Sequence, residues 1–210
     1  MRTIVVSESS EFDGEIETIH ELFDAGLDNF HIRKPKMSTK GMERFLRKID
    51  AQYRDRIVIH SHHELCVKSK IGGIHLTQRH RKKNVLSNWI KMKWVKYKRP
   101  DIRISTSFHN ISSVLRFDAQ YSYVFLSPIF ESISKVGYRN TFNEESLRDA
   151  LQKTSYEVIA MGGVNIDKID KVKDFGFKGF ALLGGLWQTE NPVETFKKIK
   201  AKCQQIEVTQ

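Results

Sequence analysis

The sequence predicts an α/β fold, a single (β/α)8 (TIM) barrel domain over residues 1–210, on three observations. Short β-branched segments alternate with helical patterns along the chain, these segments number eight, and a glycine pair follows each of the last two. Such alternation defines a parallel sheet with helices outside it, and 210 residues suit one barrel. An open dinucleotide-binding sheet would carry Gly-x-Gly-x-x-Gly after its first strand. Here that turn reads SESSEFDGE.

The strands are expected at residues 3–6 (TIVV), 29–33 (NFHIR), 57–60 (IVIH), 73–76 (GIHL), 101–105 (DIRIS), 123–126 (YVFL), 157–161 (EVIAM) and 179–183 (GFALL). Most are short and apolar, as strands covered on both faces should be. Helical spacing of Ile16, Ile19, Leu22 and Phe23 predicts a helix over 16–25. Met42, Phe45, Leu46 and Ile49 predict one over 40–53. Ile166, Ile169 and Val172 predict one over 165–175, ending at Gly176, and Val193, Phe196 and Ile199 predict one over 192–203. The basic, aromatic run 86–97 reads as a short, irregular helix.

Apolar residues make up 40% and charged residues 29%, which is ordinary for a soluble domain. No apolar run is long enough to span a membrane, and the N-terminal run is too short for a signal peptide, so a cytoplasmic location is expected. The two cysteines, Cys66 and Cys203, lack metal-ligand spacing and receive no role. A net charge of +10 fits a nucleic acid, a polyanionic small substrate or a solvated basic surface. The densest run is RHRKK at 79–83, followed by Lys91, Lys93, Lys96, Lys98 and Arg99. No nucleic-acid-binding motif accompanies it, so neither nucleic acid nor membrane is expected as a partner, and a homo-oligomer is compatible with the reading.

Barrels place their chemistry on the loops after the strands. Gly162-Gly163 after strand seven and Gly184-Gly185 after strand eight fit the recurrent phosphate site there, since glycine lets backbone N–H groups approach an anion. Tight turns are the plainer reading of both pairs. After strand six, Ser132, Ser134 and Lys135 offer two hydroxyls and an ammonium to a phosphate. On strand two, alternation puts His31 and Arg33 on one face, toward a substrate or simply toward solvent. After strand three, His60-Ser61-His62-His63-Glu64 invites a transition-metal reading, although neighbouring side chains diverge and at most two or three share an ion. On strand five, Ser107 is placed to hydrogen-bond a heterocycle.

Taken in order, these strings resemble the thiamine phosphate synthase and thiazole tautomerase family. The resemblance rests on SPIFESISK (127–135), GGIHLTQ (72–78), IAMGGVN (159–165), STSFH (105–109) and GFALLGGL (179–186). It implies a (β/α)8 barrel that joins hydroxymethylpyrimidine diphosphate to thiazole phosphate with Mg2+, releasing pyrophosphate. A diverged barrel that binds thiamine phosphate or its precursors without turnover is the alternative. The tautomerase branch has a catalytic histidine where this chain has Pro128, which favours the synthase.

Carried over, the resemblance implies that Lys135 and Arg33 are catalytic. It implies substrate contacts from His31, Arg33, Ser107, Ser132, Ser134, Lys135, Gly162, Gly163, Gly184 and Gly185. The family's lysine two places after the arginine is here Pro35, with Lys34 and Lys36 as candidate replacements. Gly184-Gly185 stand where the family has Ser-Ala. The metal positions differ most. His60-Ser61 replace Asn-Asp, and His80 replaces a second Asp, with Glu64 the nearest carboxylate. Mg2+ prefers carboxylate oxygens, so slower chemistry is expected, offset in part by Arg79, His80 and Arg81.

Overall fold

The computed structural model describes residues 1–78, 85–116, 118, 121–131 and 142–208. Eight parallel strands close into a barrel in the order of the chain. They are β1 (Arg2–Val6), β2 (Asn29–Ile32), β3 (Ile57–Ile59), β4 (Gly73–Leu76), β5 (Arg103–Phe108), β6 (Tyr123–Leu126), β7 (Val158–Met161) and β8 (Gly179–Leu182). β1 closes the ring by pairing β2 through Val6–His31 and β8 through Ile4–Ala181.

The outer helices follow from amphipathic stripes. α1 (Glu15–Asp24) buries Ile19, Leu22 and Phe23. α2 (Thr39–Lys48) buries Met42, Phe45 and Leu46 and is capped by Ser38, whose side chain accepts from the Gly41 N–H. The helix expected over 40–53 is broken. Ile49 turns to extended backbone and buries itself, and a 3-10 helix (Ala51–Arg56) follows. Then come α3 (Leu65–Ser69), α4 (Val85–Lys98), α5 (Ile111–Val114) and α6 (Glu144–Lys153). A 3-10 turn (Ile166–Lys168) leads into α7 (Ile169–Phe175), which stops at Gly176 in the left-handed region, and α8 (Gly184–Trp187) and α9 (Pro192–Val208) complete the chain.

Two further expectations shift. The run at 86–97 is a continuous 14-residue helix rather than a short irregular one. It combines basic residues with exposed Ile90, Trp94 and Tyr97, so no clean apolar stripe marks its ends in the sequence. β5 begins at Arg103, two residues later than expected, and runs on to Phe108. Asp101 is instead held by Arg99 in the preceding turn.

Two cores result. The larger packs outward-facing strand residues such as Val5, Phe30, Ile74, Ile104 and Val124 against the helices. The smaller lies inside the barrel and contains Ile4, Val6, Tyr123, Phe125, Ile159 and Ala181, all from β1 and β6–β8. No helix among the described residues is long and apolar enough to cross a membrane.

Candidate active site

Alternation points every second strand residue into the barrel. On β1 and β6–β8 those residues are largely apolar. On β2–β5 and the corner after β3 they include His31, His60, His75, Ser105 and Ser107, beside the apolar Val58 of β3. Register links them, pairing His75 with Ser105 and Ser105 with Tyr123. The result is a polar wedge in one half of the interior. His31 Nε2 is hydrogen-bonded to the Tyr123 hydroxyl at 2.6 Å, and His31 Nδ1 to His60 Nε2 at 3.0 Å. His75 Nδ1 lies 2.9 Å from Ser105 Oγ, and His75 Nε2 lies 3.1 Å from Ser107 Oγ. The His60 and His75 rings stack with centroids 4.2 Å apart. A neutral imidazole donates at one nitrogen and accepts at the other, so the Tyr123–His31–His60 chain runs donor to acceptor in one direction or the other.

Burial, then the neighbouring His75 and arginines, holds His31 well below the usual imidazole value of 6.5. His60 is held down by burial first, then by His75 and His31. Burial also raises the Tyr123 phenol, so it stays protonated. Both histidines are therefore neutral in the folded protein near neutral pH. The unfolded chain takes up protons below 6.5 while the folded protein does not, so stability is full above 6.5 and falls as pH drops. We expect urea unfolding to lose about 2–3 kcal/mol between about pH 7.5 and about pH 5.5, with His31→Gln removing about half of that dependence. A flat profile over that window would contradict neutral burial of the pair.

At the barrel mouth, Arg33 follows β2, and its N–H donates to Ser7 Oγ at 2.9 Å. Its side chain is exposed and has no ion-pair partner among the described residues. Lys34 does not replace the family's lysine. It is 1% exposed and its ammonium bonds both Glu15 oxygens, at 2.6 and 2.7 Å, and the Ser10 carbonyl. Lys36 is exposed. Ser107 is half-buried on the inward face, beside His75.

The glycine pairs sit where three loops meet. Gly162 and Gly163 have φ of 92° and 67°. A Cβ at Gly163 would lie 2.5 Å from the Glu131 carbonyl oxygen and 2.8 Å from Phe130 Cβ. A Cβ at Gly185 would lie 2.3 Å from the Val164 carbonyl oxygen, so the family's alanine does not fit there, whereas at Gly184 it would make only ordinary contact with Gln188. Close loop packing alone thus demands Gly163 and Gly185. In α8 the Leu186 and Trp187 N–H groups donate to the Leu183 carbonyl, which leaves the Gly184 and Gly185 N–H groups outside the helical ladder.

The expected Mg2+ site does not fit these residues. His60 offers an imidazole nitrogen, which suits Mg2+ poorly, and the neighbouring Ser61 supplies only a neutral hydroxyl. Glu64 is exposed. The one group of potential ligands that converges among the described residues, His31, His60 and His75, contains no carboxylate. The adjacent histidines diverge: His62 bonds the Met37 carbonyl and Thr39, while His63 bonds the His75 carbonyl. Arg79, His80, Arg81, Ser132, Ser134 and Lys135 lie outside the described residues. Sequence reasoning assigned no role to His75, Ser105, Tyr123 or Glu15. Period-two alternation carries the signal for the first three, because each is a polar group at an inward position of an otherwise apolar strand.

A closed parallel barrel with its polar groups converging toward the carboxyl ends of the strands is a TIM-barrel protein with the site location typical of that class. Within the class, the chain matches the family described as thiamine monophosphate synthase over residues 3–186, and it belongs to that family. It is 23% identical over 188 residues to a thiamine-phosphate synthase of Dictyoglomus thermophilum, covering 88% of this chain and 81% of the relative. It is also 23% identical to one from Caldivirga maquilingensis, covering 92% of each. The crystal structure of a thiamine phosphate pyrophosphorylase from Bacteroides thetaiotaomicron superposes with a TM-score of 0.79 at 32% identity, covering 97% of this chain and 98% of that one. A thiamine phosphate pyrophosphorylase from Pyrococcus furiosus, at 15% identity and a TM-score of 0.77, shares the fold.

Proposed function

We propose that this chain is a transferase of thiamine biosynthesis that joins hydroxymethylpyrimidine diphosphate to thiazole phosphate and releases pyrophosphate. The observation that carries the reading is the family match across residues 3–186, which takes in all eight strands and their loops. In this reading the exposed Arg33 guanidinium binds the diphosphate and stabilises the charge that builds on it as the C–O bond breaks. The loops at Gly162-Gly163 and Gly184-Gly185 offer backbone N–H groups to the thiazole phosphate. The resemblance assigns Ser132, Ser134 and Lys135 to the diphosphate and thiazole. Ser107, His31 and the polar wedge line the side of the barrel that a pyrimidine would enter. The thiazole nitrogen then captures the pyrimidinyl carbon, and pyrophosphate departs. Mg2+ would neutralise the leaving group in the family's reaction, but the converging ligands among the described residues include no carboxylate to hold it.

The test incubates pure protein with both substrates and follows thiamine phosphate and pyrophosphate by chromatography. We expect turnover, lowered about 10- to 100-fold by Arg33→Ala, in line with a lost charge-assisted hydrogen bond. The missing carboxylates support one second reading, a barrel that binds these phosphates without turnover. Tight binding with no product would establish that reading instead.

A further inference from the structure

We propose that His31, His60 and His75 form a binding site for one divalent late first-row transition ion, Zn2+ foremost, inside the barrel beneath its mouth. The inference goes beyond the coupling reaction and does not depend on it. One ring nitrogen from each histidine lies within 4.8 Å of the others, and the three come from neighbouring strands rather than from the adjacent His60–His63 string. Tetrahedral Zn2+ holds imidazole nitrogens at about 2.0–2.1 Å, which separates two of them by about 3.3 Å. His31 Nδ1 and His60 Nε2 already stand 3.0 Å apart, and closure asks His75, whose nitrogen lies within 4.8 Å, to turn out of its stack on His60 and give up one of its serine contacts.

The surroundings are those of ligand histidines. A metal-binding imidazole usually has its second nitrogen held by a hydrogen bond that fixes ring orientation. His31 has the Tyr123 hydroxyl in that role, and His75 has Ser105 on one nitrogen and Ser107 on the other. A tautomer shift of the His31–His60 pair frees both facing lone pairs. Imidazole donors suit Zn2+, Co2+, Ni2+ and Cu2+ and ill suit Mg2+. Three neutral ligands leave the ion with its full charge and a fourth position, as in other three-histidine sites. The Ser61 hydroxyl, next to His60 in the chain, is buried with no hydrogen-bond partner among the described residues.

The test needs no substrate. Untagged full-length protein is stripped with a chelator and titrated with Co2+, whose visible absorption distinguishes a four-coordinate nitrogen-rich site from hexa-aqua ion. We expect saturation at one equivalent and bleaching by one equivalent of Zn2+. His31→Gln and His75→Gln should abolish the absorption, Tyr123→Phe should weaken affinity about tenfold through ring orientation, and His62→Gln should change nothing. Far-UV circular dichroism reports whether each variant is folded. Wild-type protein that takes up no Co2+, or a folded His31→Gln variant that keeps the full signal, overturns the inference. Since uptake is read without either organic substrate, its failure leaves the proposed coupling standing, and failure of coupling leaves the metal site standing.

Discussion

Lys34→Met is expected to cost about 3–5 kcal/mol of folding stability at neutral pH, because it strands the Glu15 carboxylate in the interior. Lys34 and Glu15 are 1% and 2% exposed, and the ammonium bonds both carboxylate oxygens, the Ser10 carbonyl and the face of Phe45. The pair ties the first residue of α1 to the end of β2. Burial already raises the Glu15 carboxyl above its ordinary 4.5, and hydrogen bonding to Lys34 is the chief effect pulling it back. Removing Lys34 lifts it further. A carboxyl raised in the folded state gives its full stability below the unfolded value of 4.5 and loses it as pH rises through the folded value. The variant should therefore be least impaired in mild acid and most impaired at neutrality. Adding Glu15→Leu to Lys34→Met should recover most of the loss, since an apolar pair often replaces a buried ion pair at little cost. Urea unfolding of the three proteins at two pH values checks this. An equal loss in the single and double variants would mean that the contact to Ser10, rather than the ion pair, carries the effect.

Gly163→Ala should cost about 2–5 kcal/mol, made of roughly 1–2 for a left-handed backbone and 1–3 for overpacking. At φ 67° the new methyl meets the Glu131 carbonyl oxygen and Phe130. Hydrogen bonds from the Ile129 and Phe130 N–H groups to the Met161 and Gly162 carbonyls hold these loops together, so neither loop can retreat without breaking them. Gly184→Ala is the control. Its methyl touches only the flexible Gln188 side chain at 3.5 Å, and a change within about 0.5 kcal/mol is expected. Similar losses at both positions would show that the tight approach at Gly163 is not what requires glycine there.

Much of the barrel was legible because each strand is a short apolar run between turn signals. β4 and β6 fall at residues 73–76 and 123–126 as read. What escaped was tertiary. Nothing local in the sequence ends α2 before Ile49, which leaves helical backbone and is wholly buried. Lys34 read as a mouth cation because its partner, Glu15, is 19 residues away. The histidines were grouped by chain neighbourhood, as 60, 62 and 63. The barrel groups them by strand register instead, bringing His60 to His31 and His75 while His62 and His63 turn to backbone carbonyls. The glycine pairs were read for anion access, and loop packing by itself requires one of each, Gly163 and Gly185.

The divided interior makes one core unequally tolerant of change. The wall on β1 and β6–β8 is largely apolar, while the opposite wall, on β2–β5, keeps His31, His75 and Ser105 hydrogen-bonded out of solvent. An apolar exchange on the first wall, Tyr123 aside, leaves every buried polar group paired. The same exchange on the second strands a partner, so a single mutational step weighs more on one side of the barrel than on the other.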